Sequence, residues 1–345
     1  MSATPRLVSL DAFRGFTMFW IIGGRPLVLS LTNLLPDPLA RAVEAQLSHS
    51  TWEGLRAWDL IWPAFLLMVG MSIPFTMAKR RLVEPTGRLL LDALKRAAIL
   101  FLLGSLRTSI HEGRPQLFEL SSALQTIALA YLASALLAFF SIRVQAAAAA
   151  LILVLYGLLL AFVPAPGMPA ATYQQQGNLV AAIDVIGIGR THEEGWGTVL
   201  SAIPAISTAL FGMILGEVLR GGRTERQKLG ILALSGCGAV AAGWILSPAI
   251  PVIMKLWTTS YGLLSAGWAC LGFLAFYWIV DIRGYRAWTF PFVVIGMNAV
   301  AAYMGQTILP VSRIAAIFTK NMAAPFLIRW LILFWMYRRK IFLKA

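Results

Sequence analysis

The chemistry-bearing stretch of this chain is His49-Ser-Thr-Trp52-Glu53-Gly54-Leu-Arg56-Ala-Trp58-Asp59-Leu-Ile-Trp62-Pro63, where an imidazole and a carboxylate stand at the mouth of an apolar run. An imidazole can take up and return a proton at neutral pH. Asp59 leads straight into Leu-Ile-Trp-Pro-Ala-Phe-Leu-Leu-Met-Val-Gly-Met, a run that can only be lipid-embedded or deeply buried. A carboxylate there is costly unless it has a partner or a task. His49 and Asp59 are therefore the candidate catalytic pair, with the imidazole moving a proton and the carboxylate orienting it.

Other polar groups interrupt the apolar sequence. Arg25 follows Gly23-Gly24 and precedes Pro26, so it either snorkels to the outer surface or lines a cavity; the loosened helix favours the cavity. Trp52, Trp58 and Trp62 flank the centre. Tryptophans at an interface are mostly anchors, and only the nearness of His49 gives Trp52 a reading as a sugar-stacking platform. Asn298, one turn before Tyr303, Gln125 and Lys255 raise the same choice between packing glue and a hydrogen bond to a ligand. Asp11-Ala-Phe-Arg14-Gly15 opens the first apolar helix with an acid and a base on neighbouring faces, and reads first as an interfacial ion pair. His111 reads as a solvated loop residue, and so does His192 unless the long loop folds over the site. No histidine has a partner at metal-ligand spacing, so no metal is implied. Gly187-Ile-Gly189-Arg190 lacks the third glycine of a dinucleotide fingerprint and is discounted.

The elements that must position these residues are transmembrane helices. Of 345 residues, 59% are hydrophobic and 13% charged, and the mean hydropathy is +0.74. Such values exclude an ordinary soluble domain. Long apolar runs also exclude a barrel of alternating strands. The expected fold is all-α: a polytopic transmembrane bundle forming one domain over residues 1–345. Its spans number about ten, near 11–33, 59–78, 94–110, 120–140, 144–163, 198–219, 228–248, 259–280, 290–309 and 323–338. The first run lacks a small-residue cleavage site and reads as a retained helix. Cys237 and Cys270 lie inside apolar runs and say nothing about redox compartment.

The net charge of +14 is assigned to the membrane surface, where it meets lipid headgroups or phosphates and not nucleic acid. With an even number of spans, nineteen of the 29 Lys and Arg residues fall on the side of the termini, which should be cytoplasmic. His49 then lies near the outer face. The densest basic cluster, Lys79-Arg80-Arg81 to Lys95-Arg96, is a topology signal or a phosphate-binding rim. Residues 164–197 form the longest stretch outside the membrane, either a functional loop or a solvated connector.

Motifs in one order over nearly the whole chain carry a resemblance. They are Leu10-Asp11-Ala-Phe-Arg14-Gly15, His49-x-x-Trp52-x-Gly54, Asp59-Leu-Ile-x-Pro63-x-Phe65 and Leu124-Gln125. They continue in Glu194-Gly195, Ile203-Pro204-Ala205-Ile206, Lys255-Leu-Trp257-Thr-x-Ser260-Tyr261, Asp281-Ile-Arg283-Gly284, Gly296-Met297-Asn298 and Tyr337-Arg338-Arg339-Lys340-Ile341-Phe342. In these the chain resembles the heparan-alpha-glucosaminide N-acetyltransferase family, and in particular its shorter bacterial members. The resemblance implies an integral-membrane acetyltransferase of a bacterial inner membrane, with cytosolic acetyl-CoA as donor and no metal. It implies a glucosamine-type amine on the outer side as acceptor, and inclines towards a homodimer. The family's catalytic histidine corresponds to His49. Trp52, Arg25, Gln125, Lys255 and Asn298 become candidates for the acceptor, and Arg14, Lys95, Arg96 and Arg283 for the CoA phosphates.

Two departures stand out: the first-helix asparagine of mammalian members has Arg25 near its place, and the usual arginine after Leu-Gln is Thr126. His49 would act either as general base or as a nucleophile forming an acetyl-imidazole. The competing expectation is a proton-coupled transporter or flippase of a sugar or lipid-linked solute, with His49, Asp59 and Arg25 on its pathway.

Overall fold

A computed structural model describes residues 7–319 and 323–343, apart from the side chains of Lys79, Arg313 and Phe318. Arg6, Lys320 and Lys344, which enter the charge bias, lie outside the described residues. The chain is mostly helical, as the apolar runs dictate. In order, the helices are α1 (Val8–Phe19), α2 (Arg25–Leu29), α3 (Asp37–Gln46), α4 (Ile61–Arg80), α5 (Thr86–Glu112), α6 (Ala123–Leu137), α7 (Ile142–Phe162) and α8 (Leu179–Ile188). After them come α9 (Ala202–Arg220), α10 (Glu225–Leu246), α11 (Thr259–Phe276), α12 (Phe290–Met297), α13 (Ala299–Ile308), α14 (Val311–Phe318) and α15 (Ala323–Arg338).

Among the described residues, six helices are long and apolar enough to cross a membrane: 8–34, 57–78, 142–162, 202–220, 225–246 and 259–282. A seventh candidate is the pair 287–297 and 299–308, bent by 63° at Asn298. The other three expected crossings are helices as well. α5 has 27 residues with charges through its first half, α6 has 15 and α15 has 16, so each departs from the length or composition of a plain span.

The chain packs as two compact units. The first comprises residues 1–49, 56–61 and 272–345, and the second residues 50–55 and 62–271. In the first, α1 and α12 touch backbone to backbone. A Cβ on Gly15 would fall 1.6 Å from Phe292 O, and one on Gly296 would fall 2.1 Å from Asp11 O. Small residues permit such approaches where apolar burial cannot distinguish protein from lipid. Phe13, Phe16, Phe276 and Phe292 pack as an aromatic cluster around this crossing. Between α1 and α2 the chain makes a π-helical turn, Trp20–Gly24, in which Gly23 has φ 138°, a value that glycine adopts without strain.

In the second unit, Gly70, Gly212 and Gly216 set the α4 to α9 contact, where a Cβ on Gly70 would meet Ala209 O at 1.8 Å. Residues 164–197 are not an unstructured connector. Tyr173–Gln174 pairs antiparallel with Gly177–Asn178, and Asn178 caps α8 by accepting the Ala181 N–H. Trp52 and Tyr173 pack against a core that includes Tyr156, Leu179, Val180 and Leu256.

Candidate active site

Asp59 lies in a helical turn, Ala57–Leu60, that feeds α4, and it is fully buried. Its local sequence fixes its place. Asp59 Oδ2 accepts the Arg56 N–H at 2.9 Å, and the Asp59 N–H donates back to Arg56 O at 3.0 Å. The acid three residues into the turn thus satisfies backbone donors that helix starts leave orphaned. The second oxygen, Oδ1, lies 2.7 Å from His49 Nδ1.

A carboxylate oxygen accepts only, so Nδ1 is the donor in this contact. The His49 side chain is 39% exposed while its partner is not exposed at all. One imidazole edge is therefore locked to a buried anion and much of the ring remains accessible, the arrangement that orients a histidine base.

Neighbouring groups hold the loop that carries His49. Arg56 donates through Nη1 to Ser48 Oγ and to His49 O, both at 2.8 Å. The Ala57 N–H donates to Gln46 Oε1 at 2.9 Å. Arg25 Nε donates to Leu47 O at 2.6 Å, and its guanidinium lies 5.4 Å above the Trp58 ring. Trp58 in turn meets the His49 ring edge-on at 6.2 Å. Arg25 is half-buried and its contacts are with the protein itself. It pins the backbone two residues before His49 and stacks on an aromatic face. Arg56 and Gln46 were not singled out by sequence; the readable signal of the helix start is the acid in its first turn, Asp59.

The remaining candidates are dispersed. Arg14 belongs to the same unit as the pair and lies 3.6 Å from Asp11. Arg283, also in that unit, stacks over Trp278 at 5.0 Å. Lys95 and Arg96 belong to the other unit, where Lys95 is exposed and Arg96 stacks on Tyr131 at 4.7 Å.

Trp52 and Lys255 are in that second unit too, and residues 173–197 tie both down. Trp52 Nε1 donates to Tyr173 O at 2.7 Å. Lys255, 5% exposed, donates to Glu194 O at 3.0 Å and to Glu194 Oε2 at 3.1 Å. Trp62 meets Trp257 edge-on at 5.1 Å within the protein.

Gln125 and Asn298 are fully buried, and their amides serve the protein's own chain. Gln125 Oε1 accepts the Ser122 N–H at 3.3 Å, while its Nε2 donates to Ser105 Oγ and Leu117 O at 3.0 Å each. Asn298 Nδ2 donates to Ile341 O at 3.0 Å, and its Oδ1 accepts the Leu343 N–H at 3.1 Å. Both geometries are those of packing glue. No family model matches the chain, and no curated protein matches it significantly.

Proposed function

We propose that this chain is a membrane-embedded acetyltransferase that moves the acetyl group of cytosolic acetyl-CoA to an amino sugar of glucosamine type on the outer side. The observation that carries the reading is the His49 to Asp59 contact of 2.7 Å, with the carboxylate wholly buried at the head of a membrane-length apolar helix. A buried carboxylate tied to a partly exposed imidazole suits a group that must gain and hold a proton during a reaction. The motif order that resembles the heparan-alpha-glucosaminide N-acetyltransferase family supplies the donor and the acceptor class.

In this mechanism His49 Nε2 takes a proton from the acceptor ammonium. The amine nitrogen then attacks the thioester carbonyl, the C–N bond forms and the C–S bond breaks; the leaving sulfur takes the second proton that the nitrogen sheds, giving amide and CoA thiol, and the proton on His49 passes to water. Asp59 keeps the ring in the competent tautomer and stabilises its cation. Arg14 and Arg283 are the basic candidates for CoA phosphate in the unit that holds the pair. Their distance from the chemistry suits a long donor: Arg14 and Arg25 are separated by about 17 Å along the helical path. Ten crossings, cytoplasmic termini and a bacterial inner membrane complete the proposal, because they put the basic rim on the CoA side and His49 on the acceptor side. Association as a homodimer follows the same resemblance.

The deciding experiment incubates the purified protein with radiolabelled acetyl-CoA and a panel of amino sugars, with product masses read afterwards. Acetylated amine and thermal stabilisation by CoA are expected. Label retained on His49 in the absence of acceptor would replace the direct route by an acetyl-imidazole. Absence of both turnover and CoA stabilisation would sink the enzyme and leave proton-coupled carriage of solute.

A further inference from the structure

The second unit gathers a different set of donors. Glu112 ends α5, Glu119 lies in the connection to α6, and His192 and Arg190 follow α8. Glu112, Glu119 and His192 each offer a ligand atom, and these atoms lie within 4.8 Å of one another. Glu119 is only 4% exposed. Arg190 Nε donates to its Oε1 at 2.7 Å, and Arg190 Nη2 donates to Glu112 Oε2 at 3.1 Å.

The other Glu119 oxygen is the anomaly. Oε2 is buried and makes no hydrogen bond among the described residues, and the same holds for His192 Nε2. The two atoms face each other across 4.0 Å, too far for a hydrogen bond. A buried carboxylate oxygen without a partner costs stability and calls for an occupant.

We propose that Glu112, Glu119 and His192 form a divalent transition-metal site, with Zn2+ as the fitting ion, that staples the 164–197 segment to the end of α5. Two carboxylates and one imidazole with a water as fourth ligand match the donor preference of zinc, whereas a calcium or magnesium site would be built from oxygen alone. Bonds of about 2.0–2.1 Å place neighbouring tetrahedral ligands roughly 3.3 Å apart, so the donors must close by less than about 1.5 Å. Glu112 and His192 can supply that movement because their side chains are 21% and 19% exposed. Arg190 would then orient the ligating carboxylates through the oxygens turned away from the ion.

The test uses the full chain without a polyhistidine tag, stripped with EDTA and titrated with Zn2+ against a chromogenic chelator. One Zn2+ per chain is expected, with visible d–d absorption when Co2+ is substituted. His192→Ala and Glu119→Gln should each abolish tight binding, Arg190→Gln should weaken it about 10- to 100-fold, and His111→Ala should leave it unchanged. Circular dichroism of each variant separates a lost site from a lost fold, and Glu112→Gln replaces any variant that fails to fold. Zero stoichiometry in the wild-type chain overturns the proposal, as does equal stoichiometry in wild type and a folded His192→Ala.

Discussion

Histidine meets buried carboxylate twice in this chain, and the two meetings differ in what fills the space between them. At His49 and Asp59 the heavy atoms are 2.7 Å apart, and the second carboxylate oxygen is engaged by the Arg56 N–H. At His192 and Glu119 the gap is 4.0 Å, and an arginine already occupies the other oxygen. The first arrangement is closed and shares a proton; the second leaves room for an ion. Residue type alone therefore does not tell a proton-moving pair from a ligand set. The distance, and the way the far oxygen is spent, does.

The sharpest way to break this contrast is at the first meeting. His49→Ala should lower turnover by about 10²- to 10⁴-fold or more, with CoA binding, read as thermal stabilisation, nearly intact. Substantial remaining acetyl transfer would remove His49 from the centre. Asp59→Asn should cost less, because Nε2 survives while its tautomer is no longer enforced. The readout is the pH profile of kcat/KM. A shifted acidic limb supports an orienting role, and an unchanged profile with a lower melting temperature would reduce Asp59 to a structural group that satisfies the Arg56 N–H.

How much of this was legible in advance follows from which forces are local. The apolar runs predicted a mostly helical chain, because backbone groups in apolar surroundings must be satisfied within the segment, but among the described residues only six helices and one bent pair have the length and composition of a span. The nearness of His49 to Asp59 was readable because one turn and a short loop separate them. Gln125 and Asn298 were recognisable as costly buried amides, yet their partners were not. Leu117 O and Ile341 O are backbone acceptors brought in by tertiary packing, and no side-chain pattern marks them. The partner of Arg25 was hidden for the same reason, since the Leu47 carbonyl that it meets is anonymous in sequence. His192 read as a solvated loop residue because the carboxylates that meet it, Glu112 and Glu119, are far away in the chain, and the adjacent Glu193 and Glu194 are not among them. Its companions arrive from the end of α5 and the following connection only once residues 164–197 fold.

Gln125 tests the other side of the comparison, a polar group spent wholly on structure. Gln125→Ala leaves the buried Ser122 N–H without its acceptor and takes one of two donors from Leu117 O, which keeps Ser105 Oγ, and should destabilise the protein by about 1–3 kcal/mol. KM for either substrate should stay within twofold when measured well below the melting temperature. A large rise in KM with unchanged stability would return the residue to the acceptor site.

The smallest effect is expected where carboxylates and a cation meet in water. Arg80 Nε and Nη2 donate to Glu84 at 2.8 and 2.6 Å, and Nη2 also reaches Asp92. The arginine holds both carboxyls below their ordinary values of 4.5 and 3.8. A folded pKa below the unfolded one means stability that is fully present above those ordinary values and is lost as pH falls through the lower folded ones. Because the side chains are half-buried at most, 22% to 38% exposed, solvent and salt screen the contribution, so the change should be slight and should shrink further at high ionic strength. Melting temperatures of the wild type and Arg80→Gln, followed from about pH 6 to about pH 3, should converge at the acid end. If the two curves run parallel throughout, the Arg80 cluster has no part in acid sensitivity, and the contrast between buried and exposed carboxylates must rest on His49 and His192 alone.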